Sequence, residues 1–297
     1  MFTAAGFAKT WEYITLFKQG LICTVALSLL TVIFGFILAL VLAVMRLSDI
    51  RPLRFLALTP DGHLREQGFL TLLSRFNPVS FLATVYVEIF RATPMLVQLF
   101  IIYYVVLGDV DFPSYKLFGF IRFDRFVPGV VALAMNSGAY LSEIIRAGIQ
   151  SIDGGQTEAA RSLGLSQVQN MRFIILPQAI KNILPPIANE FVTIIKESSI
   201  CYTIGVQEIM YAVTSTKGAT YRIAEPLVVA TVVYFCLTFP TSKIIAYFER
   251  RMSVGDKRNG GDGKPKKARM KIRQASILRS QGGPEGFSFH AGGEKEE

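Results

Sequence analysis

No charged residue occurs between Leu21 and Met45. A run of that length is what a helix needs to cross the ~30 Å apolar core of a bilayer, so a first span is expected over residues 21–45. Within it, Gly35, Ala39 and Ala43 recur every fourth residue. That spacing gives a small face which another helix can approach closely. Ahead of it, Phe7, Trp11, Ile14, Phe17 and Leu21 fall near helical spacing. Residues 1–20 are therefore expected to form an amphipathic helix lying in the interface. Further apolar stretches cover about residues 79–107, 126–145 and 227–248, the last with Lys243 near one end, where it can snorkel. Residues 183–204 are apolar on balance but interrupted by Glu190, Lys196 and Glu197.

The distribution of charge decides whether that interrupted stretch is a fifth span. With five spans and the N-terminus outside, the inside loop of residues 46–80 holds five Arg, and that of 146–181 holds four Lys/Arg. The outside segments hold Lys9 and Lys18; Lys116, Arg122 and Arg125; Lys217 and Arg222. Cytoplasmic loops concentrate Lys and Arg, so five spans, N-out and C-in, is the better solution. Omitting the interrupted stretch would place the basic tail outside. The expected fold is thus an all-α membrane protein with a transmembrane domain over residues 21–250. A basic tail, expected to be disordered, follows over 251–297.

Composition agrees: 51% of residues are hydrophobic and only 18% charged, with a mean hydropathy of +0.41. An ordinary soluble enzyme carries more surface charge than this. Of the net charge of +9, +6 lies from Arg250 onward, where twelve Lys/Arg face six Asp/Glu. That pattern fits a tail near anionic lipid and not a nucleic-acid-binding face. Cys23, Cys201 and Cys236 sit in apolar stretches without ligand spacing and are expected to be small core residues. His63 and His290 are the only histidines, which leaves little for a zinc site or a histidine triad.

Motifs of catalysis are missing. The run GGDGKP puts Pro265 where a P-loop needs Ser or Thr, and neither G-x-S-x-G nor H-E-x-x-H occurs. The informative segment is the inside loop DGGQTEAARSLGLSQVQNMRFIILPQAI. Asp153 with Gln156 reads as a capping box opening a helix through Leu163, and Gly164 suits the left-handed position that ends it. Ser166 with Gln169 repeats the signal and opens a second helix, with Pro177 beyond it.

This loop resembles the EAA loop of the membrane subunits of ABC importers. Glu158-Ala159-Ala160, then Gly164, then Ile174, Leu176 and Pro177 follow the family spacing without insertion. FRATPMLVQLF at residues 90–100 is similar to a signature of polar amino acid permeases, and residues 136–164 and KESSI at 196–200 resemble the same group. The resemblance covers roughly residues 15–250; a long 46–80 loop and the tail depart from it. It implies the five-helix core of a type I importer in a bacterial cell membrane. The loop of about residues 150–180 would couple it to a separate P-loop ATPase, present in two copies, through Gly155, Glu158, Ala159, Ala160, Gly164 and Leu165. The chain itself would be no enzyme and bind no cofactor, with ATP and Mg held by the ATPase. A second permease subunit, identical or related, and an extracytoplasmic solute-binding protein complete the expected assembly. The implied cargo is a polar amino acid: glutamine, glutamate, aspartate or a basic one.

Polar groups inside the spans need partners or a wet cavity. Glu88 with Arg91, and Glu143 with Arg146, are spaced to pair on one helix face near the cytoplasmic side. Asn136, Ser137 and Tyr140, with Lys196, Glu197 and Ser198, are expected to line the substrate route; helix–helix hydrogen bonding is the equal competing reading. The alternative of another class is a self-contained secondary transporter or channel. It would require no ATPase, and the internal repeat common among such proteins is not evident here. A membrane anchor acting through its tail is a further alternative.

Overall fold

A computed structural model describes residues 2–48 and 76–259, with side chains to residue 251. The long 46–80 loop and the basic tail lie almost wholly outside the described residues, as do His63 and His290. Contacts divide the chain into a unit Met1–Glu249 and a unit Arg250–Glu297; the fold below is that of the first.

The N-terminal stretch forms two helices, not one. α1 covers Ala4–Trp11, and α2 runs 34 residues over Ile14–Leu47. Ile14, Phe17 and Leu21 therefore belong to the start of the first span. At 1.5 Å per residue α2 is about 51 Å long, more than a bilayer core requires. Its buried face is Phe17, Gly20, Thr24, Leu27, Thr31, Gly35, Ala39 and Leu42, rising in threes and fours. Its opposite face exposes Ile22, Leu29, Ile33, Phe34, Ile37, Leu40 and Val44, as a helix facing lipid tails does.

α5, Phe123–Gln150, packs along α2 in the most extensive contact of the unit. The small face expected on α2 is at this contact. A Cβ on Gly35 would lie 3.2 Å from the Ser137 hydroxyl and 3.3 Å from the Ala134 carbonyl. Ala39 and Ala43 join Leu141, Ile145, Ala179 and Ile183 in one apolar cluster. Leu27, Leu99, Phe126 and Leu133 form another toward the opposite end, with Cys23 and Cys201. Cys236 departs from expectation and is exposed.

The stretch of residues 79–107 is not a straight span. α3, Pro78–Ala92, and α4, Met95–Phe100, meet at a bend of 112°. A π-helical turn, Ile101–Val106, continues α4. The bend falls at Thr93–Pro94, where proline forces its predecessor out of the helical region; Thr93 sits at φ −112°, ψ 147°. Beyond it, Lys116–Leu117 (β1) and Ile121–Arg122 (β2) pair antiparallel. They turn through Phe118 and Gly119, both at positive φ.

The loop after α5 holds α6, Gly154–Ser162, and the one-turn α7, Gln167–Asn170. α7 does not end before Pro177. It passes through a π-helical turn, Met171–Ile175, into α8, Leu176–Glu197. A proline clashes with the carbonyl four residues back, and the wider π turn lets the chain continue. A 3₁₀ stretch, Ser198–Ile204, follows, then α9, Ile209–Thr220, and α10, Ala224–Asn259. By length and composition, two helices among the described residues, Ile14–Leu47 and Ala224–Arg251, can cross a membrane, and the bent α3–α4 pair has the composition of a broken span or a re-entrant loop. α5 and α8, of 28 and 22 residues, have the length but carry more polar groups.

Gly20 lets α2 pass the start of α9: a Cβ there would lie 2.9 Å from the Glu208 carbonyl and the Ile209 Cα. Backbone atoms cannot swing aside, so Gly20→Ala should cost about 1–3 kcal/mol, typical of overpacking. Gly218→Ala, with nothing within 4 Å of its Cβ, should be neutral or slightly stabilising. Heating in detergent with a thiol-reactive dye reads this once the exposed Cys236 is replaced by serine, because Cys23 and Cys201 are buried until the fold opens. Equal midpoints for the two variants would refute the close contact.

Candidate functional site

The loop expected to couple begins where α5 ends. Ser151 caps that helix, its hydroxyl donating to the Gly148 carbonyl and accepting from Asn182 of α8 at 2.9 Å. Asp153 then opens α6, though not as a capping box. Its carboxylate accepts from the Gly155 amide at 2.6 Å, while the Gln156 amide bonds to the Asp153 carbonyl. α6 ends as expected at Gly164, with φ +77°. The Gly164 amide reaches the Arg161 carbonyl at 2.9 Å, and the Leu165 amide reaches the Ala160 carbonyl at 3.1 Å. This reciprocal pair is the Schellman ending, which satisfies carbonyls that a helix end would otherwise orphan. α7 carries the complete capping box between Ser166 and Gln169.

Of the predicted coupling residues, Ala160 alone turns inward and is 1% exposed. Gly155, Glu158, Ala159 and Gly164 are exposed, and Leu165 is half-buried. Leu163, Val168 and Phe173 present bare apolar side chains around them. An exposed apolar patch of this kind marks a contact surface. Behind α6 lies a cleft of about 230 Å³ lined by Gln150, Thr157, Arg161, Gln167 and Asn170. Asn170 donates to the Thr157 hydroxyl at 3.3 Å, joining α7 to α6. Its side-chain carbonyl is buried and unpartnered. This tie was not anticipated from the sequence, since neither residue belongs to a spaced motif.

The predicted Glu143–Arg146 pair is formed and is shared with a third residue, Arg46 at the end of α2, at 2.6 Å. The Asn77 amide donates to the Ser48 carbonyl and Ser80 to the Arg46 carbonyl, so α2, α3 and α5 are tied at one end. Glu88 and Arg91 do not pair. Arg91 lies over the Tyr140 ring, 5.7 Å from its centre, where a guanidinium meets the negative face of the ring.

Among the residues expected on the substrate route, Asn136 and Ser137 are buried and Tyr140 is 38% exposed. Asn136 donates to Gln98 at 2.8 Å. Gln98 in turn donates to the Phe90 carbonyl, the Thr93 carbonyl and the Thr93 hydroxyl at 2.8, 3.0 and 2.8 Å. Asn136 therefore fastens the α3–α4 bend. Lys196 is exposed, Glu197 half-buried, and Ser198 buried with its hydroxyl donating to the Ile195 carbonyl. Lys196 lines a cavity of about 280 Å³ with Ser199, Tyr202 and Tyr234. Near β1 and β2 a larger cavity, about 440 Å³, is lined by Tyr103, Tyr104, Asp109, Asp111, Asp124 and Arg125. Arg122 donates to both oxygens of the Asp124 carboxylate, at 3.2 and 2.7 Å.

Glu208 is the polar residue that sequence reasoning missed. It is fully buried and caps α9 through the Met210 and Tyr211 amides at 2.9 and 2.8 Å. It also accepts from the Tyr234 hydroxyl of α10 at 2.9 Å. The available signal was an acidic residue just before an apolar helix.

Comparison with known proteins gives one coherent answer. A family model described as "Binding-protein-dependent transport system inner membrane component" matches residues 68–254. The arginine transport system permease protein ArtQ of Bacillus subtilis is 36% identical over 250 residues, 84% of this chain and 98% of the relative. A putative glutamine transport system permease protein, GlnP, of Rickettsia conorii is 35% identical over 83% of this chain and 97% of its own length. A crystal structure of an amino acid ABC transporter with histidines superposes with a TM-score of 0.68 at 38% identity. It covers 84% of this chain and all of that one.

The left-handed backbone at Gly164 generates a graded prediction. Space is open there, with nothing within 4 Å of a Cβ, so the penalty is conformational alone. Gly164→Asn should be tolerated, because asparagine accepts this region. Gly164→Val should cost about 1–2 kcal/mol or more in the loop and loosen the hold on a cytoplasmic partner without preventing membrane insertion. Co-purification of the partner with each variant checks the order; equal retention by both would refute it.

Proposed function

The chain belongs to the family of inner membrane components of binding-protein-dependent transport systems, and from that membership we propose that it is the membrane subunit of an importer for polar amino acids. The family is a permease subunit, with ATP hydrolysis carried out by a separate chain. What supports the cargo class is the near-complete coverage of permeases named for arginine and glutamine, 98% and 97% of their lengths. The observation that carries the mechanism is the exposed loop of α6 and α7, closed by the Schellman ending and continuous with α8.

Two ATPase subunits, with ATP and Mg, engage α6 through Gly155, Glu158, Ala159, Gly164 and Leu165, while Ala160 seats the helix on the bundle. A second permease subunit, identical or related, supplies the other half of the pore, and an extracytoplasmic binding protein delivers the amino acid. The five spans are α2, the α3–α4 pair, α5, α8 with its 3₁₀ extension, and α10, N-out and C-in. Asn136, Ser137, Tyr140, Lys196, Glu197 and Ser198 belong to the route or its walls. A ligand can shift such a bundle only by binding its two states differently. Closing of the ATPase pair moves α6, which is tied to α7 through Asn170–Thr157 and so to α8 through the continuous chain, while α8 is tied to the end of α5 through the Ser151–Asn182 contact. The access of the route then alternates between the two sides.

Uptake by vesicles holding the permease and its co-purified ATPase, scanned across arginine, glutamine, glutamate and aspartate, tests the function. Import should require ATP and the binding protein. Import at full rate without the ATPase would establish the secondary-transporter alternative. Topology is read by protease: added to the cytoplasmic face, it should cut beyond about Arg250. Cleavage there only from the opposite face would reverse the orientation.

A further inference from the structure

Nothing in the transport cycle above uses α1, yet its two faces are built for two different surroundings. One face holds Gly6 and Thr10, both buried. The Thr3 hydroxyl caps the helix, accepting from the Gly6 amide at 3.0 Å, and also accepts from Arg222 at 2.8 Å. The Thr3 amide donates to the Glu225 carboxylate at 3.3 Å, and Arg222 closes an ion pair with Glu225. Glu225 is 1% exposed. A Cβ on Gly6 would overlap the Glu225 carboxylate, so glycine permits this approach. The helix thereby clasps the turn between α9 and α10.

The other face is bare and aromatic. Phe2, Phe7 and Trp11 are 59%, 38% and 69% exposed, and the Phe2 and Phe7 rings stack 6.4 Å apart. Lys9 is exposed on the same short helix. Only Glu12 and Tyr13 separate α1 from α2, a link that reaches at most about 11 Å from Trp11 to Ile14. α2 exposes an apolar lipid-facing surface from Ile22 onward. Between Trp11 and that surface the exposed residues are Glu12, Thr15 and Lys18, which places α1 beside the edge of the apolar band, where tryptophan and lysine favour the headgroup layer.

We infer that α1 lies in the headgroup layer with Phe2, Phe7 and Trp11 inserted, and that through Gly6, Thr3, Arg222 and Glu225 it straps the α9–α10 turn to the bilayer surface. The occupant of the aromatic face is lipid, because only two residues join its helix to a span whose outer face is apolar from Ile22 onward, and Lys9, Glu12, Thr15 and Lys18 lie exposed around that link, as residues at headgroup depth do. A docked binding protein is the other outcome that the test separates.

Trp11 is the only tryptophan, so its fluorescence reports this helix without labelling. The full chain is reconstituted in phosphatidylethanolamine–phosphatidylglycerol vesicles. Lipids brominated near the headgroup should quench Trp11 about twofold or more over lipids brominated at the chain ends, because an interfacial helix sits about 5–10 Å deep. Aqueous iodide should quench it weakly. Phe2→Ser with Phe7→Ser should lose at least about half of the headgroup-lipid quenching. Gly6→Val, or the milder Thr3→Val, should keep that quenching but lower the anisotropy as the clasp opens. Full quenching by iodide with none by either lipid would overturn the membrane contact, as would shielding that appears only when the binding protein is added. Unchanged anisotropy in both clasp variants would overturn the strap.

Discussion

Lipid tails are as apolar as leucine, so burying leucine does little to hold two helices together in a bilayer. Cohesion there comes from how closely backbones approach, and that constraint runs through this protein. α2 and α5 meet through Gly35, Ala134 and Ser137, and α2 meets α9 at Gly20. α5 meets α8 at Gly148, where a Cβ would overlap Ile183. Most of the large apolar residues of α2 are turned outward instead, with Phe17, Leu27 and Leu42 the buried exceptions. A soluble helix would bury them, and the inversion reflects the change of solvent. The Thr24, Ser28 and Thr31 hydroxyls lie in the same buried face without side-chain partners. Their small volume is what the close approach requires.

A second constraint follows from the same solvent. Broken backbone inside a membrane must find its hydrogen bonds within the protein. The 112° bend at Thr93–Pro94 breaks a helix, and the side-chain amide of Gln98 satisfies the freed groups at Phe90 and Thr93. Asn136 then holds Gln98 from α5. The T-P and the Q in the 90–100 signature, and the N that opens the 136–164 segment, are parts of one device. The short motif supplies both the bend and the amide that satisfies it, and the distant asparagine anchors that amide from α5. Glu208 does the same for the start of α9, with Tyr234 as its brace.

What the sequence disclosed follows from these rules. The first span was legible because lipid-facing residues need no pattern, only an unbroken apolar run. The Schellman ending was legible because Gly164 and the S-x-x-Q box at Ser166 act locally. The α3–α4 bend was not read, although Pro94 stood in the motif, because hydropathy averages across a break as readily as along a helix. The Glu88–Arg91 pair failed for a tertiary reason: Tyr140, far away in sequence, offers the guanidinium a ring. Pro177 was taken as a boundary, but the π turn before it absorbs the clash and keeps α7 joined to α8. Asn170–Thr157 and Glu225–Thr3 were out of reach, since each depends on two helices meeting.

The continuity at Pro177 has a mechanical consequence. Had α7 ended in a flexible link, motion of α6 would dissipate in the loop before reaching a span. Instead the chain from Gln167 to Glu197 is helical throughout, with only a change of pitch at Met171–Ile175. α6 is fastened to the start of that rod by Asn170, and α5 is fastened to the rod by the Ser151–Asn182 contact. In the proposed cycle, a displacement of α6 would be delivered to α5 and α8 together. These two helices pack on each other and carry most of the residues expected on the route. The α6–α7 loop and the residues expected on the route are thus joined by two small polar ties and an unbroken helical path.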